Sequence, residues 1–164
     1  MKSMFKFLIA GAAVLAVAAC SEEPASPEAA AAASTAPAAV DQSTVQFFQQ
    51  NVGDSVFFAT NSTTLSARGR QTLARQAAWL NQNAGVNAQI EGHADERGTR
   101  EFNLALGARR AEAVRSFLVS QGVAAGRLTT ISFGKERPFA PCSAETCWSQ
   151  NRRGLTALKG APTS

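Results

Sequence analysis

Histidine, cysteine and tyrosine are scarce in this chain, which has one His, three Cys and no Tyr among 164 residues. A single His excludes any metal site that is built on two or more histidines. Three Cys are too few for a four-thiolate zinc or iron–sulfur site. Charged residues make up 17% of the chain and hydrophobic residues 45%, a balance that excludes a wholly disordered protein and a membrane protein with several spans.

Long apolar runs are also missing, and the main short one lies near the N-terminus. Residues 7–19 are uncharged and mostly apolar and follow Lys2 and Lys6, but a bilayer span needs about 20 residues. These features are typical of a secretory signal peptide. The run ends in VAAC, which resembles the lipobox of bacterial lipoproteins and implies cleavage before Cys20 and a covalent lipid on it. A short buried helix with an incidental Cys is the alternative. Bacterial lipoproteins that stay in the inner membrane commonly carry Asp directly after the lipidated Cys. This chain has Ser21 there, which by the same resemblance implies that the protein is located in the outer membrane.

Composition divides the chain into three predicted parts. Residues 1–19 are the signal peptide. Residues 20–42 hold the lipidated Cys and an Ala/Pro-rich segment without Leu, Ile, Phe or Trp, which predicts a disordered tether, with a short poly-Ala helix as the alternative. Residues 43–164 are the predicted globular domain, with 14 basic and 8 acidic residues. This charge suits a cell-wall polymer or a lipid headgroup, or it forms a solvated face. We expect no nucleic-acid partner for an exported protein.

Hydrophobic periodicity predicts strands that alternate with helices in the domain. Val86, Ala88 and Ile90 alternate with polar residues, as in a half-buried strand. Ser66 and Thr99 are predicted helix N-caps. The predicted elements are strands at 56–58, 86–91, 128–133 and 155–158 and helices at 66–83, 99–122 and 145–151. The long helix is predicted to bury one stripe, formed by Leu104, Ala108, Ala111, Val114 and Leu118. This order predicts an α/β fold. More closely, it predicts an α+β sandwich in which helices cover one face of a sheet.

One segment carries a specific resemblance to a known family. Residues 92–114 read GHADERGTREFNLALGARRAEAV and resemble the OmpA-like peptidoglycan-binding domains, among them the peptidoglycan-associated lipoproteins. The resemblance extends over residues 56–158 and includes the closing Asn-Arg-Arg at 151–153. The lipobox and the tether upstream agree with it. It implies the OmpA-like β-α-β-α-β fold, with helices packed on one face of a mixed sheet.

The resemblance also implies a ligand and its site. The family binds the diaminopimelate residue of the peptidoglycan stem peptide, whose free end carries an ammonium and a carboxylate on one carbon. Such an end needs an acid for the ammonium and a forked cation for the carboxylate. By resemblance, the acid is Asp95 and the guanidinium is that of Arg110. Asn103 and Asn61 occupy two further contact positions, where an amide bonds either the ligand or its own loop.

Other side chains near this segment have simpler predicted roles. His93 is predicted to be structural and hydrogen-bonded rather than catalytic. Arg109 is predicted to face solvent or the sheet edge, and one of Leu104 and Leu106 to pack in the core. The Arg pair at 152–153 is read as structural, with added charge near the site.

Two cysteines remain after Cys20 is assigned to the lipid. Cys142 and Cys147 are predicted to form a disulfide, because an exported protein meets an oxidising compartment. Two buried thiols are the alternative. Their spacing differs from that of the CxxC motif, so redox catalysis is not expected.

Three function classes follow from this sequence. The resemblance implies an outer-membrane lipoprotein whose periplasmic domain binds peptidoglycan, within the Tol–Pal system of envelope integrity and cell division and with TolB as a partner. A cell-wall enzyme is the second hypothesis, but no nucleophile set and no pair of well-placed carboxylates is evident. A periplasmic adaptor that binds only proteins is the third. We therefore expect no enzymatic activity, no metal and no cofactor beyond the lipid on Cys20.

Overall fold

A computed structural model describes residues 41–163 of the chain. The predicted signal peptide at 1–19, the predicted lipidation at Cys20 and nearly all of the predicted tether at 20–42 lie outside the described residues. Within residues 41–163, no helix has both the length and the apolar character that a membrane span requires.

The described residues form four α-helices and one four-stranded sheet. The helices are α1 (Val45–Phe47), α2 (Ala67–Gln82), α3 (Arg100–Ser120) and α4 (Glu145–Asn151). The strands are β1 (Ser55–Phe57), β2 (Asn87–His93), β3 (Leu128–Gly134) and β4 (Arg153–Lys159). All seven predicted elements are present, whereas α1, the π-helical turn that follows it and a 3-10 turn before β3 were not predicted.

The strand order brings three chain segments to one end of the sheet. The order is β1-β4-β2-β3, in which β2 and β3 are parallel and β4 is antiparallel to both of its neighbours. Phe57 lies opposite Arg153, and Gly92 lies opposite Gly154. The end of β1, the end of β2 and the start of β4 therefore meet. The predicted mixed sheet with helices packed on it is confirmed.

Polar caps set the bounds of the two long helices. The Ser66 hydroxyl accepts a hydrogen bond from the Gly69 amide at 3.0 Å, and the Thr99 hydroxyl accepts one from the Phe102 amide at 3.2 Å. Both predicted N-caps are thus confirmed. Gly122 follows α3 with a φ of 91°, a left-handed conformation that favours glycine.

The apolar stripe predicted for α3 is partly wrong. Ala111, Val114 and Leu118 are buried in the core, but Leu104 is 43% exposed and Ala108 is exposed as well. In the first half of α3 the buried positions are Asn103, Leu106, Gly107 and Arg110. Polar groups therefore replace the apolar stripe where the helix faces the end of the sheet. Of the two leucines considered above, Leu106 is the one in the core.

Two glycines explain how α3 is placed on the sheet. A Cβ atom on Gly92 would lie 1.8 Å from the carbonyl oxygen of Gly107, so the helix backbone rests directly on β2. A Cβ atom on Gly107 would in turn lie 2.3 Å from the Ser132 hydroxyl. This close approach fixes the rotation of α3 and turns Asn103 and Arg110 inward.

The first described helix lies at the opposite end of the sheet. The Val45 amide donates to the Pro162 carbonyl at 2.9 Å, and Pro162 follows the end of β4. The Trp79 indole donates to the Gln42 carbonyl at 2.7 Å and packs on Phe48. The start and the finish of the domain are thereby joined beside the start of β2.

Candidate functional site

The predicted site residues gather where β1 and β2 end and β4 begins. Asp95 follows β2, Asn61 lies in the loop after β1, and Asn103 and Arg110 come from α3. The sheet order brings the two loops together, and the glycine contact brings the helix to them. Asp95, Asn103 and Arg110 are buried, whereas Asn61 is exposed.

The Asp95 carboxylate has two arginine partners. Arg97 donates from Nη2 to Oδ2 at 2.6 Å and from Nε to Oδ1 at 3.2 Å. Arg152 donates from Nη1 to Oδ2 at 3.2 Å. Burial raises the pKa of Asp95, but the hydrogen bonds from Arg97 and Arg152 outweigh it and leave the pKa below its usual value. The carboxylate is therefore ionised at neutral pH.

Arg110 is fully buried and joins three segments. Its Nε donates to the Ser62 carbonyl at 2.9 Å, Nη1 to the His93 carbonyl at 2.8 Å and Nη2 to the Ala59 carbonyl at 3.0 Å. A guanidinium has five N–H donors, so these three bonds leave two more. Burial lowers the pKa of Arg110 to about 10, against the opposing effect of Asp95, so the group stays cationic at neutral pH.

The guanidinium that touches Asp95 is thus not that of Arg110. Arg97 and Arg152 make the direct contacts, and Arg110 reaches the backbone two residues before Asp95. Arg110 contributes a buried positive charge and holds the loop after β1 against the end of β2. The resemblance-based assignment of Arg110 to a ligand carboxylate stays a prediction.

The two asparagines shape the loops around this charge cluster. Asn103 Nδ2 donates to the Arg97 carbonyl at 2.8 Å and so fixes the backbone of the loop that carries Asp95. Asn61 has a φ of 51°, in the left-handed region that Asn tolerates better than most residues. Its turn presents the neighbouring Ala59 and Ser62 carbonyls that accept from Arg110.

A disulfide-closed segment borders the site on the side of α4. Cys142 and Cys147 are bonded, so the predicted disulfide is confirmed. Trp148, the next residue, donates from its indole to Glu96 at 3.1 Å and lies beneath the Arg97 guanidinium, whose Cζ is 4.2 Å from the ring centroid. Glu145, within the closed segment, pairs with Arg152. The segment therefore supports both arginines that hold Asp95.

His93 is buried, but its predicted hydrogen bond is not formed. Neither ring nitrogen has a hydrogen-bond partner among residues 41–163, and Nε2 lies 3.5 Å from a carboxylate oxygen of Glu91. Burial, with smaller effects from Arg153 and Arg137, lowers the pKa of His93 to about 4. The ring is thus neutral at physiological pH and packs against Phe133.

Open grooves lie elsewhere on the domain. One of about 520 Å³ and one of about 490 Å³ are lined by residues in and around β1, such as Gly53 and Phe57, and neither is lined by Asp95 or Arg110. The side chains of Asp95, Arg110 and Arg152 are buried and line neither groove. Within the described residues, no group of three or more His, Cys, Asp or Glu side chains is arranged to hold a metal ion.

Comparisons with known proteins agree with this architecture. Residues 57–152 match the OmpA family. The peptidoglycan-associated lipoprotein of Mesorhizobium japonicum is 53% identical over 94% of this chain and 92% of its own length. The crystal structure of the peptidoglycan-associated lipoprotein from Burkholderia pseudomallei has a TM-score of 0.65 at 36% identity, and covers 68% of this chain and 96% of that one. The chain belongs to the OmpA family, among its peptidoglycan-associated lipoproteins. The C-terminal domain of Helicobacter pylori MotB, at 23% identity and a TM-score of 0.60, shares the OmpA fold.

The sequence alone does not predict every residue of this candidate site. Arg97 was not singled out, although it lies two residues after Asp95 and a carboxylate buried in a loop needs a nearby cation. Arg152 is predicted above to be structural, with added charge near the site, and not to be a direct partner of Asp95. Glu145 and Trp148 gave no usable signal, because their role depends on how the disulfide segment folds back. Arg109 is exposed, as predicted.

Proposed function

We propose that this protein is an outer-membrane lipoprotein that binds peptidoglycan without covalent change, through the diaminopimelate residue of the stem peptide. One observation carries the proposal. A buried carboxylate, that of Asp95, and two buried guanidiniums, those of Arg110 and Arg152, lie at the same end of the sheet. Groups of opposite charge thus lie close together at one place, which is the combination that a zwitterionic end requires.

Asp95 receives the ligand ammonium in this proposal. The carboxylate is ionised, and the hydrogen bond from the Arg97 backbone amide to Oδ1, at 3.2 Å, helps to orient it. An ammonium on a buried carboxylate forms a charge-assisted hydrogen bond, roughly twice as strong as a neutral one. Asn103 keeps the loop in place by its bond to the Arg97 carbonyl.

Arg110 supplies the positive charge for the ligand carboxylate. Its two unused N–H donors and the charge of the neighbouring Arg152 favour an anionic group beside Asp95. The exposed Asn61 amide lies on the loop that Arg110 holds, where it is free to bond polar groups of the stem peptide. A lysine-containing stem peptide lacks the extra carboxylate and is expected to bind more weakly.

In this proposal, the lipid on Cys20 and the tether that follows it join the wall-binding domain to the outer membrane. The predicted lipid on Cys20 carries two or more acyl chains, which anchor firmly where one chain anchors only marginally. The predicted tether at residues 21–42 would reach at most roughly 70 Å if fully extended. Many weak domain–wall contacts along one polymer add up through avidity. Membership in the Tol–Pal system, with TolB as a partner in cell division, belongs to the same proposal.

Titration calorimetry tests the wall-binding step. The full chain in detergent is titrated with a diaminopimelate-containing tripeptide and with its lysine counterpart. Asp95→Asn keeps the shape of the side chain and removes its charge, so we expect affinity to fall by about 30-fold or more. Arg109→Ala, on an exposed neighbour of Arg110, is the control and is expected to bind normally.

Asp95→Asn is a cleaner variant than Arg110→Ala, because loss of Arg110 also leaves three backbone carbonyls without their partner. Thermal unfolding followed by circular dichroism confirms that each variant is folded. Equal binding by Asp95→Asn and the unmodified chain, or equal binding of the two tripeptides, would refute the proposal. A Cys20→Ala variant recovered in the membrane fraction would refute the anchoring step.

A further inference from the structure

The two arginines on Asp95 differ sharply in exposure. The Arg152 side chain is 6% exposed, that of Asp95 9% and that of Arg97 40%. A cation that arrives from solution therefore meets Arg97 before it meets the carboxylate. Asp95 becomes accessible only when one of its present partners leaves.

Arg152 is held from several sides. Its Nε donates to the Phe58 carbonyl at 3.1 Å, and its other nitrogens contact Asp95 and Glu145. Moving it would leave the buried Phe58 carbonyl without a donor and Asp95 with Arg97 as its only arginine partner. Breaking such buried contacts is costly. Arg152 is therefore the fixed partner of Asp95.

Arg97 is held by weaker contacts beyond Asp95. Its guanidinium has Thr60 Oγ1 at 3.5 Å, the long limit of a hydrogen bond, and stacks over the indole of Trp148. The backbone at Arg97 is separately fixed, because its carbonyl accepts from Asn103 and its amide donates to Asp95. The side chain is thus able to turn away from Asp95 while the loop keeps its shape, and the Trp148 ring on which it already stacks can keep its cation–π contact with it.

We propose that Arg97 is a displaceable internal counterion, which occupies the place on Asp95 that a ligand ammonium takes. This inference rests on the proposed role of Asp95 in ligand binding and adds a selection step to it. A ligand must replace a charged, forked pair of hydrogen bonds, so a neutral group gains too little to displace Arg97. The site therefore selects ligands with a free ammonium at this position. Because the ligand must displace Arg97, its affinity is lower than it would be for an unoccupied carboxylate.

The inference predicts an unusual sign for a substitution in a binding site. Arg97→Ala removes the competitor and leaves Asp95 with Arg152 alone, so affinity for the diaminopimelate tripeptide should rise by about 3- to 10-fold. Arg100→Ala removes an equal charge from the same region. Its side chain is 67% exposed and pairs with Glu136, so this control should change affinity by less than about 2-fold.

Two readouts complete the experiment, which is done by calorimetry on the full chain in detergent. The tripeptide acetylated on the free amine of diaminopimelate should fail to bind the unmodified chain. Ligand binding should also change the fluorescence of Trp148 when Arg97 moves, and this change should be lost in Arg97→Ala. Trp79 is buried against Phe48 and contributes a constant background.

The outcomes separate this inference from the proposed function. If the unmodified chain binds and Arg97→Ala binds more weakly, Arg97 contacts the ligand directly and the inference is wrong. Unchanged affinity also overturns it, as does strong binding of the acetylated tripeptide. If the unmodified chain does not bind the tripeptide at all, the proposed function itself fails and the inference falls with it.

Discussion

Arg152 Nη1 lies 3.2 Å from Asp95 Oδ2, although 57 positions separate the two residues in the sequence. The contact joins the start of β4 to the loop after β2. Both side chains are largely buried, and taking two charges out of water is costly unless they are paired and fully hydrogen-bonded. Arg152, in the closing Asn-Arg-Arg segment, is therefore part of the candidate site.

Loss of this buried partner should destabilise the domain. Arg152→Met keeps the length of the side chain but removes its bonds to Asp95, Glu145 and the Phe58 carbonyl. We expect the free energy of unfolding to fall by about 3 kcal/mol, because the buried Phe58 carbonyl loses its donor and Asp95 keeps only the partly exposed Arg97 as a charged partner. Urea denaturation at neutral pH measures the change. Arg109→Met is the matched exposed control, and an equal small loss in both variants would contradict the prediction.

The stability of the domain should fall in mild acid because of His93. Its pKa is about 4 in the folded protein and near 6.5 in the unfolded chain. The unfolded chain therefore binds more protons between these values, so the stabilisation is complete above about pH 6.5 and is lost as the pH falls towards 4. From about pH 7.5 to about pH 5, we expect the unmodified chain to lose about 2 kcal/mol more than His93→Gln.

Urea denaturation at the two pH values measures this difference. Arg153 and Arg137 disfavour the charged ring, and Glu91, on the same strand, is the carboxylate nearest to it. Asp95 does not interfere, because its lowered pKa means that its contribution is lost only below about pH 4. Parallel pH profiles for the two proteins would show that His93 titrates normally in the folded state.

The contact between α3 and β2 should not tolerate a methyl group. In Gly107→Ala the new Cβ would lie 2.3 Å from the Ser132 hydroxyl and 2.7 Å from the Gly92 carbonyl oxygen. We expect a loss of about 3 kcal/mol in the free energy of unfolding, together with weaker ligand binding, because the helix that carries Arg110 must shift. Gly126→Ala is the control, since nothing lies within 4 Å of its Cβ. Chemical denaturation and calorimetry give the two readouts, and a fully stable Gly107→Ala would contradict this account.

The disulfide should contribute modestly to global stability. Cys142 and Cys147 close a loop with a sequence separation of 5, for which the chain-entropy estimate is about 2 kcal/mol. We expect the double variant Cys142→Ser/Cys147→Ser to lose about that amount in guanidinium denaturation. It should also reduce the protection of the Trp148 indole from acrylamide quenching, because the segment that holds this ring is released. Addition of a reductant to the unmodified chain should reproduce both effects, and no effect of either treatment would count against this role.

Local sequence signals were enough for the four strands and the three helices α2, α3 and α4, but not for α1 or the two short turns. Ser66 and Thr99 act on their own helices within three residues, and the alternation around Ile90 reflects one strand with one buried face. Such signals do not depend on distant parts of the chain. This is why the strand and helix bounds agree with the structure to within two residues.

The rotation of α3 and the contacts of the site depend on tertiary packing instead. Periodicity predicted a helix but placed Leu104 in its buried stripe, because the Gly92–Gly107 contact that rotates the helix joins two separate elements. The family resemblance identified Asp95 and Arg110 as candidates. It did not reveal that Arg110 donates three hydrogen bonds to backbone carbonyls. Nor did it reveal that Arg97 and Arg152 form ion pairs with Asp95.

The bond between Val45 and Pro162 has a mechanical consequence. It places the start of the domain beside the end of β4, whereas Asp95 lies beyond the other end of β2, about 20 Å away along the strands. In the attachment proposed above, a pull between the membrane and the wall would run lengthwise through the antiparallel β2–β4 ladder. Hydrogen bonds loaded in this direction share the force and must break together. The sheet therefore resists in shear, and its strands are not separated one hydrogen bond at a time.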